Sequence, residues 1–311
     1  MYIFDNEISI ENRETLERYL NGYDYEASGL TFTAQYMLRN VNKFTWDIVG
    51  DYLCISRIVH EEDENGPKPP FMYPPLTTSG EYDNDALRET IYRCKERFEK
   101  KGYPLSFRMV PGKLTEVIKA ACPEIDFIDD RQNYDYIYRR QDLVDMKGRA
   151  YHSKKNHINY FKKTYEYEYV PLTSGMADEA MAFVDDFYAR RDVPEEERVT
   201  LMVEAEAMED VFQNLESAGY EGGAIRIDGK IQALAVGGRL GDDTVVEHIE
   251  KANVAYRGLY QTILNEFCRN SAGDVEYINR EDDMGIENLR KAKLSYNPVK
   301  LLEKYIGVFR I

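Results

Sequence analysis

The chain is predicted to be an α/β protein, of the α+β kind with mixed sheets, whose plan occurs twice. Three observations predict this. A length of 311 residues is enough for about two domains with a substantial core. Hydrophobic residues make up 43% and charged residues 31%, the balance of an ordinary globular protein. The third observation is order: each half reads as a hairpin, a helix, a strand, a helix and a strand. No sequence repeat accompanies the repeated plan, and its natural home is a duplicated mixed sheet.

Taken in order, Ile10 to Leu20 reads as a helix with Leu16, Tyr19 and Leu20 on one face. Phe32 to Arg39 reads as a second, capped by Thr31. Thr45 to Val49 and Tyr52 to Ile58 are β-branched and aromatic, with Gly50-Asp51 as a hairpin turn between them. Glu61 to Pro75 is rich in acids and proline and reads as a loop. Asp83 to Lys101 places Leu87, Ile91, Cys94 and Phe98 at helical spacing, and Gly102 ends it. Leu105 to Met109 is a strand. Pro111 opens a helix that Pro123 stops, and Tyr134 to Tyr138 is a strand.

The second half opens with a strand, Tyr165 to Val170. Helices follow from Ser174, as cap, to about Arg191 and from Glu196 to Ser217. Gly223 to Ile227 and Lys230 to Val236 flank Asp228-Gly229, a pair suited to a type I′ turn. Thr244 to Lys251 is a third strand. Tyr256 to Asn270 is a helix, Glu276 to Asn279 a strand, Ile286 to Ser295 a helix, and Val299 to Val308 a closing extended segment. The predicted domains are residues 1–145 and 165–311, joined by a basic connection at 146–164.

That connection contains KGRAYHSKKNHINYFKK, with no acid between Met146 and Tyr165. The whole chain carries 56 acids against 40 bases, a net charge of −16. A basic island in an acidic chain reads either as a solvated helix or as a segment facing an anion. His152, Asn156, His157 and Asn159, which both donate and accept, favour the second. Lys154, Lys155 and His157 are its candidate anion-binding residues, with Arg290 and Lys293 in the second half. The overall charge argues against general DNA binding. No apolar run approaches the ~18 residues of a membrane span, and the acidic N-terminus MYIFDNEISIENRE lacks the form of a signal peptide. A cytoplasmic location is expected. Four scattered cysteines read as core residues in a reducing compartment. The four histidines, His60, His152, His157 and His248, form no metal-binding spacing, so no metal is expected.

The densest polar constellation lies in the second half. His248 and Glu250 are two apart on a strand, which predicts one shared face, with Lys251 on the other. Asn253 follows at the strand's end, and Asn279 and Glu281 lie at the end of the next. Parallel pairing of these strands would bring Glu250, Asn253, Asn279 and Glu281 around one cleft. Glu250, His248 and Glu281 are candidate acids and bases, and Tyr296 a candidate proton donor. Arg257 and Gly258, at a helix start, are candidates to hold a carrier's phosphate, with Asn253 and Asn279 beside it. Structural ion pairs and a tight turn would give the same pattern. No GxSxG, Walker loop, GxGxxG or Cys-His pattern is present, so hydrolase, kinase and dehydrogenase readings lose weight and group transfer remains.

Three stretches carry a resemblance: EKANVAYRGLYQTILNEF (Glu250 to Phe267), NREDDMGIENLRKAKLSY (Asn279 to Tyr296) and Asn133 to Lys163. They resemble the blocks of a bacterial family that shares its domain with the C-terminal part of phosphatidylglycerol lysyltransferase. The resemblance implies two tandem GNAT-like (acyl-CoA N-acyltransferase-like) domains, as in the Fem-type aminoacyltransferases. Relatives of known activity move an aminoacyl group from a charged tRNA to a lipid or a peptide. The implied function is aminoacyl or acyl transfer, with aminoacyl-tRNA or acyl-CoA as donor and a small molecule, peptide or lipid headgroup as acceptor. Two alternatives stand beside it: an acyl-CoA-dependent N-acetyltransferase, and a non-catalytic binding protein on the same fold.

Overall fold

The computed structural model of the protein describes residues 2–57, 69–190 and 195–310. The elements run β1 (Asn6–Glu7), α1 (Arg13–Leu20), α2 (Phe32–Asn42), β2 (Phe44–Val49), β3 (Tyr52–Arg57), α3 (Asn84–Lys100), β4 (Ser106–Pro111), α4 (Gly112–Ala121), β5 (Ile125–Asp129) and β6 (Asp135–Arg139). They continue with α5 (Arg140–Asp145), α6 (His152–Thr164), β7 (Glu168–Pro171), α7 (Ala177–Ala189), α8 (Glu195–Gln213), β8 (Tyr220–Ile227), β9 (Lys230–Leu240) and β10 (Thr244–Ala252). The rest is α9 (Leu259–Asn270), β11 (Tyr277–Asn279), α10 (Glu287–Leu294), β12 (Lys300–Leu302) and β13 (Lys304–Phe309).

Local chemistry accounts for many of these bounds. The Thr31 side chain accepts from the Ala34 N–H at 3.1 Å, so this N-cap acts as expected, and Asp83, read as the first residue of its helix, instead caps it by accepting from the Ala86 N–H at 2.8 Å. Leu87, Ile91, Cys94 and Phe98 are all buried on α3. Asp228 (φ 51°) and Gly229 (φ 75°) make the tight turn of the β8–β9 hairpin. Ser174 does not cap α7 directly; it begins a 3₁₀ turn, Ser174–Met176, that leads into the helix. β5 and α5 were not anticipated from the sequence. The closing segment proves to be two strands separated at Glu303. The loop read from Glu61 to Pro75 is described only from residue 69, and its earlier part, with His60, lies outside the described residues, as does Arg191.

Two units emerge. The first comprises the chain through Asp135, together with Asp282–Ile286 and the residues from Leu301 on. It contains the sheets β1-β2-β3 and β4-β13-β5. Met72 stitches them, pairing antiparallel with Ser56 and parallel with Phe107. β13 lies between β4 and β5, antiparallel to both. Beneath it the Lys304 ammonium, 1% exposed, meets Asp135 Oδ1 at 2.5 Å. The same carboxylate accepts from the Ser28 hydroxyl and backbone N–H, each at 2.8 Å.

The second unit comprises Tyr136–Glu281 and Glu287–Lys300. Its sheet has the order β12-β6-β11-β10-β9-β8-β7. β10 is antiparallel to β9 and parallel to β11. α9 packs on one face of β8 to β10, with Phe267 against Gly237. α7 packs on the other face, where Lys251 of β10 lies over the rings of Phe187 and Tyr188.

Candidate functional site

The site is made by a one-residue irregularity in β10. Glu247 pairs with Gly237 of β9, but Ile249 pairs with Val236, so His248 is an extra residue. Such a bulge breaks the two-residue alternation of a strand. Glu247 and Glu250, three apart, therefore reach the same guanidinium, that of Arg280 just beyond β11. Arg280 Nε donates to Glu247 Oε2 at 2.5 Å, and its NH2 donates to Glu250 Oε2. All three are largely buried, their side chains 12%, 3% and 14% exposed for Arg280, Glu247 and Glu250. Glu247 Oε1 is buried, with no hydrogen-bond partner among the described residues.

This corrects the expectation that His248 and Glu250 share a face. The His248 side chain is wholly buried, and its Nδ1 lies 2.8 Å from Glu281 Oε1, with Tyr220 edge-on. The structure thus separates two pairs that the sequence placed in one cleft. Glu250 goes with Glu247 and Arg280; Glu281 goes with His248. Asn253 goes to neither. Its Nδ2 donates to Gln232 Oε1 at 2.8 Å and its Oδ1 accepts from Ala255 N–H. Asn279, fully buried, accepts from the Glu281 N–H at 2.8 Å and shapes the turn after β11.

Around Arg280 stand Tyr296, Tyr138 and Lys154. Arg280 lies 5.2 Å over the Tyr296 ring and 6.0 Å over that of Tyr138. The Lys154 ammonium lies 4.3 Å over the Tyr296 ring from the other partner, α6. Lys293 donates to the Arg280 carbonyl and sits 5.9 Å over the Tyr136 ring, so it braces the turn. Arg290, on the same helix, is half-buried.

The electrostatics follow from burial. Desolvation pushes the Glu250 carboxyl up to about 8; Arg280 opposes this and Glu247 adds to it. Burial works against the charge of Arg280, but Glu247 and then Glu250 outweigh it and hold its pKa well above the ordinary value. Burial raises the Tyr296 phenol as well, so it stays protonated. Burial, then the neighbouring Arg280, lowers the Lys154 ammonium, with Glu250 opposing. The result is a shielded carboxyl able to take up or release a proton near neutrality, beside fixed positive charge.

Gly258 (φ 91°) begins α9, and a Cβ there would stand 2.3 Å from the His157 carbonyl oxygen of α6. The approach of α6 therefore itself requires this glycine. Arg257 is exposed and lies 4.8 Å over the Tyr160 ring. On α6, His152, Lys155, Asn156, Asn159, Tyr160 and Lys163 are exposed and recur at one-face spacing. Lys162 instead bonds Glu266 at 2.7 Å, and Lys154 turns inward as described. Among the described residues no His, Cys, Asp and Glu group is arranged to hold a metal, and no helix is long and apolar enough to cross a membrane.

Glu247 and Arg280 are the members of this site that sequence reasoning missed. Arg280 lies within a stretch that was singled out, but nothing in the alternation marks the bulge that joins it to Glu247.

Fold and site together define a mixed α/β protein of two units, with a buried two-carboxylate site on the central strand of the second unit's sheet. A profile of the family described as phosphatidylglycerol lysyltransferase, C-terminal, matches residues 21–307, and the chain belongs to that family. A conserved protein of unknown function from Bacteroides thetaiotaomicron is similar at 30% identity, over 98% of this chain and 99% of that one, with a TM-score of 0.87. L-PGS from Bacillus licheniformis is similar at 13% identity over 99% and 94%, with a TM-score of 0.67. FemX is similar at 8% over 98% and 96%, with a TM-score of 0.62. At such identities the last two likenesses concern the fold.

Proposed function

We propose that the protein transfers an aminoacyl group from a charged tRNA to an amine or hydroxyl of an acceptor. One observation carries this: the bulge in β10 sets Glu247 and Glu250 on one buried guanidinium, where one Glu247 oxygen has no hydrogen-bond partner among the described residues. The acceptor's nitrogen or oxygen attacks the ester carbonyl carbon. Its proton passes to the Glu250 carboxylate and from there to the tRNA 3′ oxygen as the ester bond breaks. A base whose pKa lies near working pH suits that shuttle. Arg280 and Lys154 supply positive charge for the oxyanion that forms on the carbonyl. The exposed face of α6 faces the phosphates of the tRNA, with Lys155 and Lys163 as its cations.

The family membership and the likeness to L-PGS and FemX support an aminoacyl donor. So does the start of α9, where α6 is pressed onto Gly258 at the place a CoA pyrophosphate would approach. The test incubates the protein with a pool of charged tRNAs and three acceptor sets: phosphatidylglycerol vesicles, peptidoglycan stem peptides and simple amines. Loss of aminoacyl ester and mass gain of the acceptor are followed. Transfer by the wild type, slowed about 10²- to 10⁴-fold by Glu250→Gln at an unchanged melting temperature, is expected. No ester consumed with any acceptor, or undiminished transfer by Glu250→Gln, removes the reading. Turnover of acetyl-CoA instead would move the donor to CoA.

A further inference from the structure

The parallel ladder of β10 and β11 ends at Val246 and Asn279. Beyond it β10 gains its extra residue, His248, and the chain leaving β11 turns. The Asn279 side chain accepts from the Glu281 N–H at 2.8 Å, and Glu281 takes a left-handed φ of 55°. The backbone of Tyr136 in β6 holds one side of this turn. Its carbonyl accepts from the Arg280 N–H at 2.9 Å, and its N–H donates to the Glu281 carbonyl at 3.1 Å. Towards β10 the turn is held by side chains: Arg280 on Glu247 and Glu250, and Glu281 Oε1 on His248 Nδ1 at 2.8 Å. A carboxylate oxygen accepts, so the imidazole carries its proton on Nδ1. Tyr220 of β8 stands edge-on to that ring, with centroids 6.2 Å apart.

A left-handed position strains a residue with a Cβ and is ordinarily filled by glycine or asparagine. A plain turn gains nothing from glutamate there. What this glutamate adds is a carboxylate on a wholly buried imidazole. Strain of this kind persists where the surroundings make use of it. His248 is moreover the inserted residue itself. The irregularity that brings Glu247 and Glu250 to one guanidinium therefore also delivers the imidazole to Glu281. We propose that His248 and Glu281 are positioning residues, whose bond ties the turn after β11 to the bulge of β10 and so keeps the Arg280 guanidinium between Glu247 and Glu250. Its bearing on catalysis rests on the transfer reading above; the tie itself does not. Arg280 works against the rise that burial imposes on the Glu250 carboxyl. Cutting the tie lets Arg280 move away, and the carboxyl then rises further. Around Glu250 and Arg280 stand Glu247 of β10, Tyr138 of β6, Lys154 of α6, Cys268 of α9 and Tyr296, and all keep their identity in the variants below.

The test is a ¹³C NMR titration of the full chain labelled at its glutamate carboxyl carbons, with the Glu250 signal assigned by its loss in Glu250→Gln. Two variants cut the tie, His248→Leu and Glu281→Gly. Two keep a partner in place: His248→Asn puts an amide N–H near the position of Nδ1, and Glu281→Gln keeps an accepting oxygen. The Glu250 midpoint is expected to rise by about one unit or more, tenfold in proton affinity, in the first two. It is expected to stay close to the wild type in the second two. Glycine relieves the strain at position 281, so Glu281→Gly should melt no lower than the wild type, and it is read alone if His248→Leu does not fold. A residue that only shapes the turn would give the same melting result with an unmoved Glu250 titration. An unmoved midpoint in Glu281→Gly overturns the proposal, as does a fall, which would mean that water had entered while Arg280 stayed. The transfer assay is read separately. Transfer by the wild type with an unmoved Glu250 midpoint removes the tie alone, and a moved midpoint without any transfer removes the transferase reading alone.

Discussion

Glu250 carries a testable pH signature. Its folded carboxyl is raised to about 8 by burial, against a carboxylate's ordinary value near 4.5. If its ionised form accepts the proton, the rate of transfer rises with pH up to about 8 and then levels. A single-turnover pH profile should show that limb in the wild type and lose it in Glu250→Gln. The same shift has a stability consequence. A raised carboxyl favours the folded state while protonated, so its contribution is full below about 4.5 and is lost as pH rises through 8. Urea midpoints of Glu250→Gln should therefore fall less between pH 5 and 8 than those of the wild type. In the first unit, Lys304 and Asp135 form a buried pair that is braced by Ser28. Removing one partner leaves the other charge alone, so Asp135→Asn or Lys304→Met should cost about 3–5 kcal/mol in urea unfolding. Neither pair was legible beforehand. Sequence alternation assigned Glu250 to His248 because it carries no mark of an inserted residue, and residues 135 and 304 are too far apart to pair by spacing.

At the scale of elements, α6 was legible as a basic segment, but the division of its lysines was not. Which way a lysine points depends on what the helix packs against. Lys154 meets the Tyr296 ring and Lys162 meets Glu266, whereas Lys155 and Lys163 are exposed. Changing Lys155 and Lys163 to Gln should lower the slope of log affinity for tRNA against log salt by about 0.7–0.9 per residue, measured by filter binding. Changing Lys162 should leave that slope as it is. Gly258→Ala tests the packing of α6 on α9: the new Cβ would meet the His157 carbonyl oxygen at 2.3 Å with φ at 91°. A lowered melting temperature is expected even without ligand. The Thr31 cap, the β8–β9 turn and the helix periods were legible because each is set by residues within one or two turns of chain.

For the whole molecule, the repeated plan was legible and the destination of its strands was not. β6 directly follows β5 in sequence, yet it belongs to the seven-stranded sheet, next to β11. β13 belongs to the first unit, between β4 and β5. Local pattern marks both as strands but cannot choose their neighbours, since that choice is made by distant partners. A chain stopped after residue 302 leaves β4 and β5 without the strand they both pair with. Its first unit should lose cooperative unfolding by calorimetry, and a synthetic peptide of residues 303–310 added back should restore part of it.

The position of β13 also sets a timetable for biosynthesis. The strands β4 and β5 leave the ribosome early, with a vacant slot between them that only residues 304–309 fill. Throughout translation of the intervening chain both strands present unpaired edges to the cell, the kind of surface that recruits chaperones or other nascent chains. Completion of the first unit thus waits for residues 304–309 to emerge, and slowing synthesis of the intervening chain should lengthen the time for which its edges stay open instead of helping it fold.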